Sequence, residues 1–333
     1  MKKLSAFCKI GLGLFFLMGM LIQASQVDAK TKYFVWTTGG VGGTWYPIGS
    51  GIASYITKNV EGLSIAAQAS GGAMENLNLI NSDQADFGFL PSAPAYTAYR
   101  GMKPFDKPKK NMMGIGMLHQ NSVYAFTLKK SGIKTFADVK GKKFQTGPAG
   151  AGSTLICSMV LAGHGMSLDD VTPIHLPLKE SSDALKDGRI AAIFETSAIP
   201  AASVLDVATV HDISIIEYAP GSMDKILEKT PYFLKTAIPA GTYRGVDEAV
   251  PILAEGTLVV VRPDIDEDVV YEITKTIYSD KCLEYLKKIH AAAKTINPKD
   301  GLNGMTMKLH PGAVKYWKEV GLYDAWEAEK PYM

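Results

Sequence analysis

Tyr33 to Tyr46 reads YFVWTTGGVGGTWY, and the order of residue types in this run decides the fold class. Tyr33 to Thr37 is β-branched and aromatic, the composition of a buried strand. Four glycines follow within five positions, and Ile48, Ile52, Tyr55 and Ile56 then recur at the spacing of one helix face. A glycine loop lets a ligand approach bare backbone, and the first turn of the helix behind it carries unpaired N–H groups and a partial positive charge. A carboxylate or phosphate fits such a place. The plain alternative is a tight turn with no ligand. Neither nucleotide motif applies: counting from Gly40 the sixth position is Trp45, and no G-x-x-x-x-G-K occurs.

The same grammar recurs along the chain. Leu63 to Ala69 reads as a strand, Ser70-Gly71-Gly72 as a turn, and Leu77 and Ile80 as a helix face. Phe87 to Leu90 is a third strand, closed by Pro91-Ser92. Gly101 to Asn111, with four lysines and two prolines, reads as a solvated loop. Met113 to His119 and Ser122 to Lys129 are nearly continuous extended segments that carry the chain into a second lobe. There Lys143 to Thr146 is a strand, residues 147–152 a glycine loop, and Ser153 an N-cap opening a helix. Strands at Ile174 to Leu178 and Ala191 to Phe194 follow, the latter leading into a loop, Glu195 to Pro200, and another helix. Strands alternating with helices mean parallel βαβ units. Gly256 to Val261 returns the chain to the first lobe. The expected organisation is a removable leader at 1–29, a first lobe at 30–121, a second at 122–255, and a return with C-terminal helices at 256–333.

Lys2 and Lys3 followed by an apolar core from Ile10 to Ile22 read as a secretory signal, with Ala29 or Ala24 as the cleavage position. That core is shorter than the roughly 20 apolar residues a spanning helix needs. Removing residues 1–29 leaves 32 basic and 32 acidic residues. Near neutrality gives no argument for nucleic acid or for an anionic membrane. Cys157 and Cys282 lie in apolar helical segments and read as two buried thiols. The six histidines show no close pairing and no C-x-x-C or H-E-x-x-H occurs, so neither a metal site, a cofactor nor catalytic residues are expected. Ser131 to Lys134 matches S-x-x-K, but its K-T-G companion is missing.

The runs GGVGGTWYPIG (39–49), ASGGAMENL (69–77), SDQADFGF (82–89), GPAGAGST (147–154) and LHPGAVKYWKEVGL (309–322) closely resemble the TAXI family, the solute receptors of a class of TRAP transporters. The resemblance implies a type II periplasmic binding protein fold: two α/β lobes, a ligand cleft between them and two crossover strands. It implies a periplasmic receptor that works with an ion-gradient-driven TRAP permease; the residues' own chemistry points to a small carboxylate or amino acid, glutamate-like or a dicarboxylate, as the solute. It places the ligand around Gly43, Thr44, Trp45 and Tyr46, around Ser70, Gly71 and Asn76, and around Gly150, Gly152, Ser153 and Thr154. Two stretches depart from the pattern, Leu90 to Pro94 and Glu195 to Ser197. The alternatives are a periplasmic receptor of an ABC importer and, further off, an enzyme on the same fold.

From the residues themselves, helix N-termini aimed into one cleft would hold an anion without a basic side chain. The arginines all fall outside the glycine loops. Trp45 and Tyr46 would cover the apolar part of a ligand, with a core tryptophan as the alternative reading of Trp45. Glu195 either meets a ligand ammonium or complements a helix N-terminus. Thr38, Ser92, Thr196 and Ser197 complete the candidate set. Ligand contacts from both lobes would close the cleft about hinges near His119 to Ser122 and Leu253 to Thr257.

Overall fold

The computed structural model describes residues 31–41, 43–149, 151–230 and 232–328. The leader expected at 1–29 and the candidate Gly150 lie outside the described residues. The chain runs β1 (Lys32–Thr37), α1 (Trp45–Asn59), β2 (Leu63–Gln68), α2 (Ala73–Asn81), β3 (Phe87–Pro91), α3 (Ser92–Arg100) and then the long β4 (Met113–Leu128). There follow β5 (Lys143–Gln145), α4 (Ser153–Gly163), β6 (Thr172–Ile174), α5 (Leu178–Lys186), β7 (Ala192–Ser197), α6 (Ala202–Ala208), β8 (Ile213–Ile216), α7 (Ser222–Lys229) and β9 (Phe233–Ile238). A second long strand, β10 (Val250–Val261), precedes α8 (Glu267–Ile277), α9 (Asp280–Ile289), α10 (Pro311–Glu319) and α11 (Tyr323–Ala328).

The strands form one sheet in the order β2-β1-β3-β10-β4-β7-β5-β6, with β8 added to β4 and β9 to β10. β1 pairs parallel with β2 and β3, and β5 pairs parallel with β6 and β7. Between these two parallel halves lie β10 and β4, antiparallel to each other and to their outer neighbours. Each half is therefore a βαβ array of the kind the glycine-loop repeats predict, and the two long strands are what join them.

The two segments expected at 113–119 and 122–129 are one unbroken strand, because Gln120, Asn121 and Ser122 keep their ladder partners on β10. Along it, Val123 and Ala125 enter one apolar cluster with Phe144, Ile156 and Phe194. Tyr124, Phe126 and Leu128 enter another with Ile193 and Val204. Alternation at period two thus buries both faces of this part of the sheet. The other half packs around Trp36, Phe87 and Phe89, with the α8 and α10 side chains closing over it.

Three local readings are corrected. Glu195, Thr196 and Ser197 belong to β7 rather than to a loop, since they pair with Tyr124, Val123 and Ser122 of β4. The strand expected at 174–178 ends at Ile174, and Leu178 already opens α5. Ser153 is the first residue of α4, with Gly152 at the cap and no side-chain hydrogen bond there. His310 does open α10, its Nδ1 accepting the Gly312 N–H at 3.2 Å. Cys157 and Cys282 are buried free thiols. No helix among the described residues is long and apolar enough to cross a membrane.

Candidate functional site

A cavity of about 130 Å³ opens where the two parallel halves face each other. Its wall takes Gly39, Gly40, Gly43, Thr44 and Trp45 from the first glycine loop and α1, and Pro91 from the end of β3. From the other side come Pro148, Ala151 and Ser153 of the second glycine loop, Leu178 at the start of α5, and Phe194 to Ser197 of β7. Asn121 of the crossover strand β4 forms part of its lining.

Three helices begin at this cavity, and among the described residues none of the three has a side-chain cap: Thr44 precedes α1, Gly152 precedes α4 and Pro177 precedes α5. The first-turn N–H groups of an α-helix have no partner within the helix, so each end leaves donors and partial positive charge. By contrast α3, which also starts beside the cavity, is capped from a distance: the Ala93 N–H donates to Glu255 Oε2 at 2.8 Å across 162 residues. Among the described residues, the buried Ser153 hydroxyl has no hydrogen-bond partner, although buried polar groups are normally satisfied. Asn121 is 2% exposed on the cavity wall.

Trp45 is half-buried and presents its ring to the cavity. The indole N–H donates to Thr257 Oγ1 at 3.2 Å, and the ring tilts against Phe89 at 5.8 Å. The β10 to β4 register shifts between Gly256 and Leu258, and an irregularity of that kind re-aims the side chain it carries, here Thr257. Wall and core roles therefore coincide in Trp45.

Glu195 is the only ionisable residue of the lining, where no lysine or arginine occurs. Its carboxylate accepts the Thr196 N–H at 3.1 Å and the Ser203 hydroxyl from the first turn of α6. Burial pushes its pKa up, opposed by the hydrogen bonds from Ser203, Ser197 and Thr196. Behind it Tyr124 and Tyr243 share a 3.2 Å hydroxyl contact, and the Ala201 N–H donates to the Tyr243 hydroxyl at 2.8 Å. The acid is held in place by β7 pairing and by α6, with one face left to the cavity.

Of the candidates, Gly43, Thr44, Trp45, Ser153, Glu195, Thr196 and Ser197 come together on one wall. Thr38, Tyr46, Ser70, Gly71, Asn76, Ser92, Gly152 and Thr154 stand off it. Asn76 is fully buried and spends its amide on the Thr38 and Phe89 carbonyls at 2.6 and 2.9 Å, while its oxygen accepts from Thr37 and Ser70. The second glycine turn is likewise consumed locally: the Gly71 N–H donates to Glu75 and the Gly72 N–H to Ser70. Thr38 donates to the Gln68 carbonyl at 2.8 Å, and Ser92 to the Gly256 carbonyl at 3.3 Å. These groups pin β1, β3 and β10 around the cavity rather than facing it. Asn121 is what the sequence reading misses. Its one signal is an amide inside a strand otherwise buried and mostly apolar.

Two parallel half-sheets joined by two long antiparallel strands, with a cavity at the junction, are the architecture of two-lobed periplasmic binding proteins. Solved structures agree at the level of fold. A structure assigned as an L-cystine ABC transporter of Listeria monocytogenes matches with TM-score 0.50 at 12% identity, over 80% of this chain and 99% of that one. A protein from Bordetella bronchiseptica RB50 matches with TM-score 0.51 at 16% identity, over 86% and 88%. The chain belongs to the NMT1-like family, whose profile spans residues 36–321.

Proposed function

We propose that this chain is an extracytoplasmic solute receptor that takes a small anionic or zwitterionic solute into the cavity at the junction of its two halves. The observation that carries the reading is the unpartnered Ser153 hydroxyl on a wall where three helix N-termini lack side-chain caps. A carboxylate or sulfonate satisfies such donors without a basic side chain. The cavity is smaller than the roughly 300–1,000 Å³ of drug-sized sites, which favours a metabolite of few heavy atoms. Glu195 gives an amino group somewhere to bind, so a zwitterion matches the wall better than a plain dianion. The lobes are proposed as 30–121 with 256–333 and 122–255, hinged on β4 and β10, and closing on the ligand. The work is binding, with no bond made or broken.

An ABC importer is the membrane partner that the description of the Listeria structure favours. A TRAP permease is the second reading, carried by the five motif runs that end in LHPGAVKYWKEVGL. Reconstitution with each permease type, encoded beside this chain or supplied from outside, separates the two. For the receptor reading itself, the test is a thermal-shift screen of carboxylates, sulfonates and amino acids on the purified protein. A rise in Tm with an anionic solute supports it. No rise across the panel contradicts it.

A further inference from the structure

The near-neutral balance of the chain conceals one strongly asymmetric surface. Gly101, at φ +67°, ends α3 and turns the chain back so tightly that Pro108 lies against it. The Lys109 N–H then donates to the Ala98 carbonyl at 2.9 Å, which folds the 101–110 loop onto the end of the helix. The Arg100 guanidinium lies 3.9 Å over the Tyr96 ring and donates to the Thr306 carbonyl at 3.2 Å. Lys110 Nζ sits 3.4 Å over the Tyr99 ring. Burial lowers the Lys110 pKa, with the nearby charges of Arg100 and Lys308 adding to the shift. None of Arg100, Lys103, Lys107, Lys109, Lys110 and Lys308 has an ion-pair partner among the described residues, where most of the other surface pairs are i,i+3 or cross-element bridges. Asp106 is the one acid within the loop. Met102 is 49% exposed just past the helix end, its N–H donating to the Thr97 carbonyl at 3.0 Å.

We propose that this face docks on an anionic phospholipid bilayer, with the lysines over the headgroups and Met102 at the acyl boundary. Long, mobile ammonium side chains flanking an exposed apolar residue suit a laterally fluid anionic surface. A protein partner would ask for a shaped groove, and none of the cavities found among the described residues is lined by this loop. The binding is additive in lysines and screened by salt. It is independent of the solute cavity, which lies at the opposite, N-terminal end of α3.

The test is co-sedimentation of the full chain with vesicles of phosphatidylcholine alone and of equal phosphatidylcholine and phosphatidylglycerol. The expected result is retention on the anionic vesicles at low salt, lost at high salt, and reduced at least fivefold in the triple variant Lys103→Glu/Lys107→Glu/Lys109→Glu. The reversals Lys225→Glu/Lys229→Glu, on α7, should leave retention unchanged, and circular dichroism should show both variants folded. Equal retention on neutral vesicles would overturn the proposal. So would a loop variant that binds as the parent does, or retention that appears only when a membrane protein is added.

Discussion

Gly152 and Pro94 meet at close contact: a Cβ built on Gly152 would lie 2.8 Å from Pro94 Cγ and 3.0 Å from the Ala73 Cβ. A proline ring cannot swing aside, so this position tolerates no side chain while the two halves stay as close as they are. Gly152 stands outside the lining, and on the proposed closure it would limit how far the two halves approach. Gly152→Ala should keep the fold and the unliganded Tm within a few degrees while weakening solute affinity by roughly tenfold or more, about 1.4 kcal/mol. Calorimetric titration checks this, and an unchanged Kd would remove Gly152 from closure.

The link from Trp45 to Thr257 ties the first turn of α1 to a crossover strand. Thr257→Val keeps the shape and removes the acceptor for the indole N–H. Leaving a part-buried donor unpaired costs about 1–3 kcal/mol. Chemical denaturation should show a loss of that size, and Trp45→Phe in the same background should recover much of it. If Thr257→Val is neutral alone, the contact does not brace the strand.

Glu255 is fully buried on β10, with Oε1 unpartnered and Oε2 capping α3. Burial raises its pKa to about 8, the Ala93 N–H opposing. The folded state therefore holds a proton that the unfolded chain releases above its ordinary carboxylate range. Stability from this group is complete below about pH 4.5 and is lost as pH rises towards 8. Unfolding free energy should fall by a few kcal/mol between pH 5 and 8 on that account, and Glu255→Gln should flatten the slope. An unaltered slope in the variant would mean that the proton is held elsewhere.

Asn121 and Ser153 reach the cavity from different elements, one from β4 and one from α4. Each alanine substitution should weaken solute binding by about 1–2 kcal/mol with little change in stability, because Ser153 Oγ is buried without a hydrogen-bond partner among the described residues and Asn121 lines the cavity. Asn76→Ala should do the reverse, since it removes hydrogen bonds that staple β1 to β3. Parallel measurements of Kd and Tm on the three variants separate wall from scaffold. Equal loss of affinity and stability in all three would erase that distinction.

Much of the fold was legible because its signals are local. Glycine loops after short apolar strands give βαβ units, and the nearly continuous extended run around residues 113–129 marks the passage from one half to the other. The site was half legible for the same reason: Gly43 to Trp45 and Ser153 announce helix beginnings, and these do reach the cavity. Ser70, Gly71 and Asn76 carry the same signature but are spent on one another and on β1, which only the third dimension reveals. Asn121 was hidden because a polar residue inside a strand has no motif. Residues 101–110 do form a largely exposed loop, and Arg100 and Lys308 come near Lys110 only through folding, which no local signal announces.

The measurement closest to the centre of the account is calorimetric titration of the purified chain with small carboxylates, sulfonates and amino acids, each beside its neutral ester or amide. The account predicts that at least one anionic or zwitterionic solute binds at micromolar or lower Kd, that its neutral counterpart binds at least tenfold more weakly, and that Ser153→Ala weakens the charged form. Equal affinity for the charged and neutral forms would contradict the claim that open helix N-termini grip an anion here.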